Sequence, residues 1–378
     1  MHVVIGAGPT GLALGWALRR SGLDVVVLEA GDHVGGTWAG VDVGGTVVDL
    51  GDHHLDASLP AGLRAEVESL VELQEHPCRE RFRAAGRWVP RAPSVLDALR
   101  HPRAVLGASG LERAAAWKQW GTDPSELVLP PAPARRRPAV RRPTVLCPRG
   151  GSGALVDALA AAVPVETGRR VTRLIEQDDR VVVGTSGGRI ISAAHVHATL
   201  PPWQVTEMLG LHREARPPRR RGLVLVHLAL DRPAGPDLGT HLIPARHLLP
   251  LRVSEAGAGR GAPSVLRAEV PCWPGDDVWE AGDAALVRRV ADDLVRCGLP
   301  DPRPVAVHVA RVRADVVPTR SAQGAWSRAL RALSRSARVT VTLPEASSDL
   351  AAVFAAALDA ARSRGAAGSV VPPGRAGP

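Results

Sequence analysis

Gly6, Gly8 and Gly11 follow a Val3-Val4-Ile5 run and open an apolar helical pattern that reaches Arg20. Val25-Val26-Val27-Leu28 then leads to Glu29. These residue types in this order suit dinucleotide binding. The first glycine permits a tight turn, the second lets a pyrophosphate approach the backbone, and the third lets the helix pack close to the strand. Pro9 and Thr10 lie within the same turn, at the start of the helix. A helix N-terminus offers unpaired N–H groups and the positive end of a dipole to the phosphates. Glu29 sits where a carboxylate would accept a ribose hydroxyl.

The elements that must position these groups are a buried strand, a helix and a second buried strand, a βαβ unit beginning at residue 3. A second glycine turn follows directly, in Glu29-Ala30-Gly31-Asp32-His33-Val34-Gly35-Gly36-Thr37. Val41–Leu50 alternates around Gly44-Gly45 and predicts a hairpin. It leads into Asp49-Leu50-Gly51-Asp52-His53-His54.

The segment from Glu29 to Thr37 resembles the LEAxxxxGG pattern of the flavin amine oxidase superfamily. That group includes protoporphyrinogen oxidases, carotenoid desaturases, monoamine oxidases and UDP-galactopyranose mutases. Asp49–His54 resembles its DLGGH segment, with Asp52 in place of the second glycine. Cys147-Pro148-Arg149-Gly150-Gly151 resembles its YPxGG turn. Leu249–Glu255 and Ala268-Glu269-Val270 resemble protoporphyrinogen oxidase-like proteins in particular. The resemblance is specific over residues 3–54, fair over 145–205 and 222–270, and weak at the C-terminus.

The resemblance implies an α/β chain with a discontinuous Rossmann-like FAD-binding domain and a mixed α+β substrate domain. The FAD domain is expected at 1–60, 145–205 and 311–365. The substrate domain is expected at 61–144, mostly helical, and at 206–310, mostly strands. A disordered tail is expected at 366–378. FAD would meet the residues already named, with Ala30, Gly35, Gly36 and Thr37 on the second turn and Gly51 near the ring. It also implies Val171 at the adenine. Glu345, in Leu343-Pro344-Glu345, stands where the family carries a Gly-Asp.

A flavin brings its own hydride acceptor, so the side chains have to orient substrate and handle protons. His53 and His54 are the acid/base candidates, with a backbone-bonding turn role as the alternative. Arg252 is the substrate-anchor candidate, because a guanidinium grips a carboxylate or phosphate with two parallel bonds. Its alternative is an ion pair with Glu255 or Glu269. Trp38 and Trp203 suit either the flavin or the core. The superfamily's amine oxidases carry a lysine over the flavin and an aromatic pair, often tyrosines. This chain has no tyrosine and one lysine, Lys118, in the helical excursion. The implied activity is hydride abstraction from a small anionic metabolite, protoporphyrinogen oxidase-like or desaturase-like. A redox-neutral sugar-nucleotide mutase-like enzyme and a non-catalytic binding protein are the competing readings.

Composition bounds the partners. The net charge is +9, yet nearly all the positive charge is arginine dispersed along the chain. The runs Arg135-Arg136-Arg137 and Arg219-Arg220-Arg221 lie among prolines and read as solvated loops, so no nucleic acid is expected. No apolar run is long enough to span a bilayer, and strand-forming sequence starts at once after Met1, so a cytoplasmic location is expected. Cys78, Cys147, Cys272 and Cys297 are too dispersed for a metal or disulfide framework and read as buried free thiols. His195 and His197 alternate along one strand face, but no matching acid accompanies them and no metal site is expected. A small-molecule substrate is the expected partner, and the oligomeric state is left open.

Overall fold

A computed structural model describes residues 1–51, 53–56, 59–77, 80–84, 87–90, 108–128, 144–211, 217–231, 239–256, 264–342 and 350–368. The βαβ unit forms as the sequence predicts: strand β1 (His2–Ile5), helix α1 (Pro9–Arg20) and strand β2 (Val25–Leu28). They belong to a five-stranded parallel sheet. Its order is Val165–Glu166, β2, β1, His195–Ala198 and Val339–Val341. Both faces of this sheet are covered, which is why β2 is apolar at every position. Helix α1 is buried from Thr10 to Leu18. It packs against the helix Leu350–Gly368, where Trp16 meets Phe354 edge to face at 6.1 Å. That helix runs three residues into the stretch expected as a tail.

A three-stranded meander (Val171–Glu176, Val181–Thr185, Ile190–Ala193) connects the third parallel strand to the fourth. The predicted hairpin forms from Gly40–Val43 and Thr46–Asp49. Thr144–Pro148 is a strand, not only a turn, and it precedes the helix Gly151–Ala161.

The second sheet has seven strands, in the order Pro304–Val316, Arg220–Leu230, Val265–Cys272, Arg252–Ala256, Thr240–Leu242, Glu80–Ala84 and Arg87–Pro90. Its last two strands form a hairpin within the first excursion. Among the described residues of that excursion, Leu73–Pro77 also forms a strand, paired with Thr144–Pro148, where a helical region was expected. Pro304–Val316 pairs along its length with Arg220–Leu230, so this one strand crosses position 310 without a break.

The two faces of the seven-stranded sheet differ in chemistry, as an antiparallel sheet allows. Val224, Val226, Leu228, Val253, Leu266, Ala268 and Val270 form the apolar face. They pack on Leu286, Val290 and Leu294 of the helix Asp283–Arg296. The single lysine lies on this side. Lys118 is buried, and its Nζ donates to the carbonyls of Ile243, Ala245 and Pro250 at 2.9, 2.9 and 2.6 Å. The opposite face carries the polar residues of the same strands and meets the dinucleotide-binding half.

The Arg219-Arg220-Arg221 run is not a solvated loop. Arg220 and Arg221 open a strand, and Arg221 is buried. Its guanidinium donates to the carbonyls of Gln119 and Lys118 in the last turn of the helix Ala108–Trp120, where a cation is favoured. The Trp273 ring lies 3.9 Å from the Arg219 guanidinium and 4.6 Å from that of Arg221, a pairing that makes burial of a cation tolerable. The run at 135–137 lies outside the described residues.

Candidate functional site

Gly6 adopts φ +100°, a conformation that favours glycine. A Cβ on Gly11 would fall 1.8 Å from the Gly6 carbonyl oxygen, so the helix can start this close to the turn only with glycine there. Gly8 is the helix N-cap, with no side chain bonded to the N-terminal amides. A Cβ on Gly8 would meet nothing within 4 Å. The space in front of the α1 N-terminus is therefore open, with Pro9 and the buried Thr10 as the first two helical residues. Gly35 and Gly36 both take positive φ, and a Cβ on Gly36 would lie 3.8 Å from Gly8 Cα. The second glycine turn thus borders the same open space, with Gly36 and Thr37 exposed on it.

Glu29 is oriented by backbone amides. The Ala7 N–H donates to its Oε2 at 2.7 Å and the Gly31 N–H to its Oε1 at 2.8 Å. Each carboxylate oxygen retains acceptor capacity for a hydroxyl. Arg169 N–H and Gly168 N–H donate to the carbonyls of Glu29 and Gly31. This brings the meander, and buried Val171 at its start, to the acid end of the site. Ala30 lies half-buried beside Glu29. The arrangement fits a dinucleotide: an open amide-lined N-terminus, two glycine turns facing it and an oriented acid beyond.

At the other end stands Asp49-Leu50-Gly51. The Asp49 carboxylate accepts from the Ser152 and Gly153 amides at 2.9 and 3.1 Å, capping the helix Gly151–Ala161. Gly51 N–H donates to the Thr37 carbonyl at 3.2 Å, and His53 Nε2 donates to the same carbonyl at 3.1 Å. The His53 ring lies 5.1 Å from that of Trp38. His54 is exposed. His53 thus ties its own segment to the second glycine turn. Trp38 and Trp203 are buried among core residues, Trp203 against Trp326.

Above Gly51 comes the polar face of the seven-stranded sheet. The strand registers align Ser254, Arg267, His227 and His308 in one row across four strands. Arg252, Glu269, Leu225 and Ala310 form the next row. Arg267 Nη1 donates to the Gly51 carbonyl at 2.8 Å and the Asp49 carbonyl at 3.3 Å, and its Nη2 donates to Ser254 Oγ at 2.8 Å. His227 Nε2 donates to the Asp49 carbonyl at 3.3 Å. Burial, helped by the Arg267 charge, pulls the His227 imidazole down to about 4 and keeps it neutral. With Nε2 protonated, Nδ1 is an acceptor, and it has no partner among the described residues.

Arg252 shares this face. Its Nη1 lies 3.7 Å from Glu269 Oε2, while Glu269 Oε1 lies 3.9 Å from Arg267 Nε. The expected pairing of Arg252 with Glu269 is therefore present, whereas Glu255 turns to Ser264. Arg252 keeps about a third of its side chain exposed. Arg267 and His227 were not singled out from sequence. Their signal is polar residues at alternate positions of otherwise apolar strands.

Glu345 and Cys78 lie outside the described residues. Cys272 and Cys297 are buried free thiols, as expected, and Cys147 is half-buried. His195 and His197 do share a face, with ring centroids 4.6 Å apart, and His2 stacks on His197. Among the described residues no group of acids, histidines and cysteines could hold a metal ion. No described helix is long and apolar enough to cross a membrane.

Comparison with known proteins agrees with this geometry. Residues 4–64 match the NAD(P)-binding Rossmann-like domain, and residues 104–360 match the flavin containing amine oxidoreductase family. A curated relative, the flavin-containing monooxygenase FMO GS-OX-like 7 of Arabidopsis thaliana, is 34% identical over 107 residues. That match spans 27% of this chain and 23% of the relative's length. Among solved structures, a reduced UDP-galactopyranose mutase superposes with TM-score 0.75 at 16% identity, covering 97% of this chain and 96% of the other. A protein assigned as a protoporphyrinogen oxidase from Exiguobacterium sp. 255-15 gives 0.68 at 17% identity, over 97% and 98%. A fatty acid isomerase from P. acnes gives 0.64 at 16% identity, over 96% and 98%. At these identities the likeness is one of fold.

Proposed function

This chain belongs to the flavin-containing amine oxidoreductase family, and on that premise we propose that it is a FAD-dependent oxidoreductase acting on a small anionic metabolite. The observation that carries the reading is the chain of contacts that links the two glycine turns, the oriented acid and the polar sheet face. Glu29 is oriented by the Ala7 and Gly31 amides, Gly36 approaches the open space before Gly8, and Thr37 is bonded to Gly51, whose carbonyl meets the sheet face bearing Arg252.

Bound FAD would supply the hydride acceptor at its N5, so no protein nucleophile is needed. Glu29 would hold the adenosine ribose, and the α1 amides with Gly8 and Gly36 the pyrophosphate. Val171 would border the adenine. Glu345 remains a candidate for the ribityl chain. Arg252 would grip the substrate anion, with Glu269 holding the guanidinium in place at 3.7 Å. His54, exposed beside Gly51, and His53, held on the Thr37 carbonyl, are the groups for proton handling.

The position of Lys118 separates this reading from amine oxidation. Its ammonium is tied to three carbonyls on the apolar side of the sheet, so it cannot serve the polar side. The test is anaerobic: load the protein with FAD, offer panels of carboxylates, phosphates and primary amines, and watch flavin absorbance. Bleaching by an anionic compound and not by amines is the expected result. Turnover without bleaching would favour a redox-neutral reaction, and absence of FAD uptake would favour a binding protein.

A further inference from the structure

The helix Arg320–Leu333 has two unlike faces. Ala322, Ala325, Ala329, Ala332 and Leu333 are buried, and the helix packs on Pro202–Met208, where Trp326 meets Trp203. The outward face carries Arg320, Arg328 and Arg331, all exposed. At about 3.6 residues per turn these three fall within an arc of about 80° and form one line about 16 Å long. Gly324 lies within that line. A Cβ there would meet only Arg328 Nη1, at 3.3 Å, so glycine leaves the guanidinium room to lie along the helix. Among the described residues none of the three arginines has an acidic partner. The sequence accounts for this, since no Asp or Glu occurs from Val316 to Pro344. The helix beneath carries one acid, Glu207, which bonds to none of them. The fold gains little from the placement. Arg320 is the first residue of its helix, at the end where a cation is disfavoured. Thr319 already caps that end, accepting from the Ala322 amide at 3.2 Å. Arg328 and Arg331 stand three residues apart, so their charges repel. A partner that supplies negative charge relieves both conflicts.

We propose that this face docks the protein peripherally on a membrane surface rich in anionic lipid headgroups. The proposal goes beyond the FAD reading and does not depend on it. The chemistry of the face selects the partner. Ser321, Gln323, Ser327 and Ser334, all exposed, lie among and beside the arginines. The face is therefore convex and polar, without the recessed apolar pocket that a protein hot spot fills. Trp326 is turned to Trp203, so it offers no ring on which a nucleic-acid base could stack. A plane of lipid phosphates asks only for a line of cations. Leu330, 41% exposed, stands on the flank of that line. It can enter a headgroup layer, whereas it gains nothing against a nucleic-acid backbone. The apolar face of the helix is already occupied by the protein itself, so the attachment is electrostatic and reversible.

The test sediments full-length protein with vesicles of phosphatidylcholine alone and of phosphatidylcholine mixed equally with phosphatidylserine. Wild type should sediment with the mixed vesicles at low ionic strength, stay in solution with phosphatidylcholine, and be released by salt. Each arginine near an anionic surface contributes roughly fivefold in affinity. The combined variant Arg320→Gln, Arg328→Gln, Arg331→Gln should therefore bind roughly a hundredfold more weakly, with its melting temperature nearly unchanged. A control variant, Arg19→Gln, Arg113→Gln, Arg288→Gln, removes the same charge at exposed positions elsewhere and should keep its affinity within a few-fold. Arg328→Gln alone should lose roughly fivefold, and it decides the matter if the combined variant does not fold. Wild type that ignores the mixed vesicles would overturn the proposal. So would an equal loss in the control variant, or binding to duplex DNA without binding to vesicles.

Discussion

Arg267 and Gly51 are joined by a 2.8 Å hydrogen bond from a buried guanidinium to a backbone carbonyl. The bond crosses from the seven-stranded sheet to the segment that follows the hairpin of the dinucleotide-binding half. His227 and Arg267 both donate to the neighbouring Asp49 carbonyl, and Asp49's own carboxylate caps a helix. The turn is thus held from above and below. The polar row on the sheet therefore has a definite position relative to the glycine turns.

His227 gives this junction a pH dependence. Its folded pKa, about 4, lies below its ordinary 6.5 because of burial and the Arg267 charge. The other groups facing it are His308, across the strand pair, and Asp49 through its carbonyl. An unfolded chain binds the proton more readily, so the contribution is complete above pH 6.5 and is lost as the pH falls toward 4. The loss amounts to roughly 3 kcal/mol at 1.36 kcal/mol per pKa unit. Denaturant melts of wild type and His227→Gln between pH 7 and 4 should show the wild type losing more stability. Parallel pH profiles would contradict this.

Glu29→Ala removes the acceptor for the ribose and leaves the Ala7 and Gly31 amides without their carboxylate. A hydrogen bond to a charged group is worth about 1.5–3 kcal/mol, so FAD affinity should fall roughly ten- to a hundredfold. Flavin fluorescence titration measures it. An unchanged dissociation constant would remove Glu29 from the site.

Arg252→Lys keeps the charge and loses the planar fork. The apparent KM for the anion that bleaches the flavin should rise roughly tenfold, equivalent to about 1.4 kcal/mol, with kcat nearly unchanged. Steady-state kinetics with that anion would decide. An unaltered KM would mean that Arg252 serves only Glu269.

Lys118→Met should destabilise the protein by on the order of 3 kcal/mol, because three buried carbonyls lose their donor. The anion specificity should be unchanged, since Lys118 faces away from the polar row. A large change in specificity without loss of stability would contradict its placement.

The βαβ unit was legible because glycines report torsion and close approach directly. Gly6 has its positive φ, Gly8 has open space before it, and Gly11 has no room for a Cβ. The seven-stranded sheet was legible only in pieces. Its row from Ser254 to His308 depends on registers between strands far apart in sequence, which no local pattern specifies. Arg267 and His227 looked like isolated polar residues in apolar strands. The run ending at Arg221 was misread because arginines among prolines ordinarily stay in water. Helix-end carbonyls and the Trp273 ring made burial possible instead. Arg252 was legible as a candidate, and so was its partner Glu269, but their shared face was not.

The central claim is that the open space at the α1 N-terminus holds FAD, and the most direct measurement is flavin absorbance of purified wild type and Gly8→Val. A Cβ at position 8 meets nothing within 4 Å, so the variant should fold like wild type, with its side chain filling the place of the pyrophosphate. The account predicts a yellow wild type with near-stoichiometric FAD and a colourless, folded Gly8→Val. Equal FAD content in both proteins, or none in wild type after FAD is offered, would contradict it.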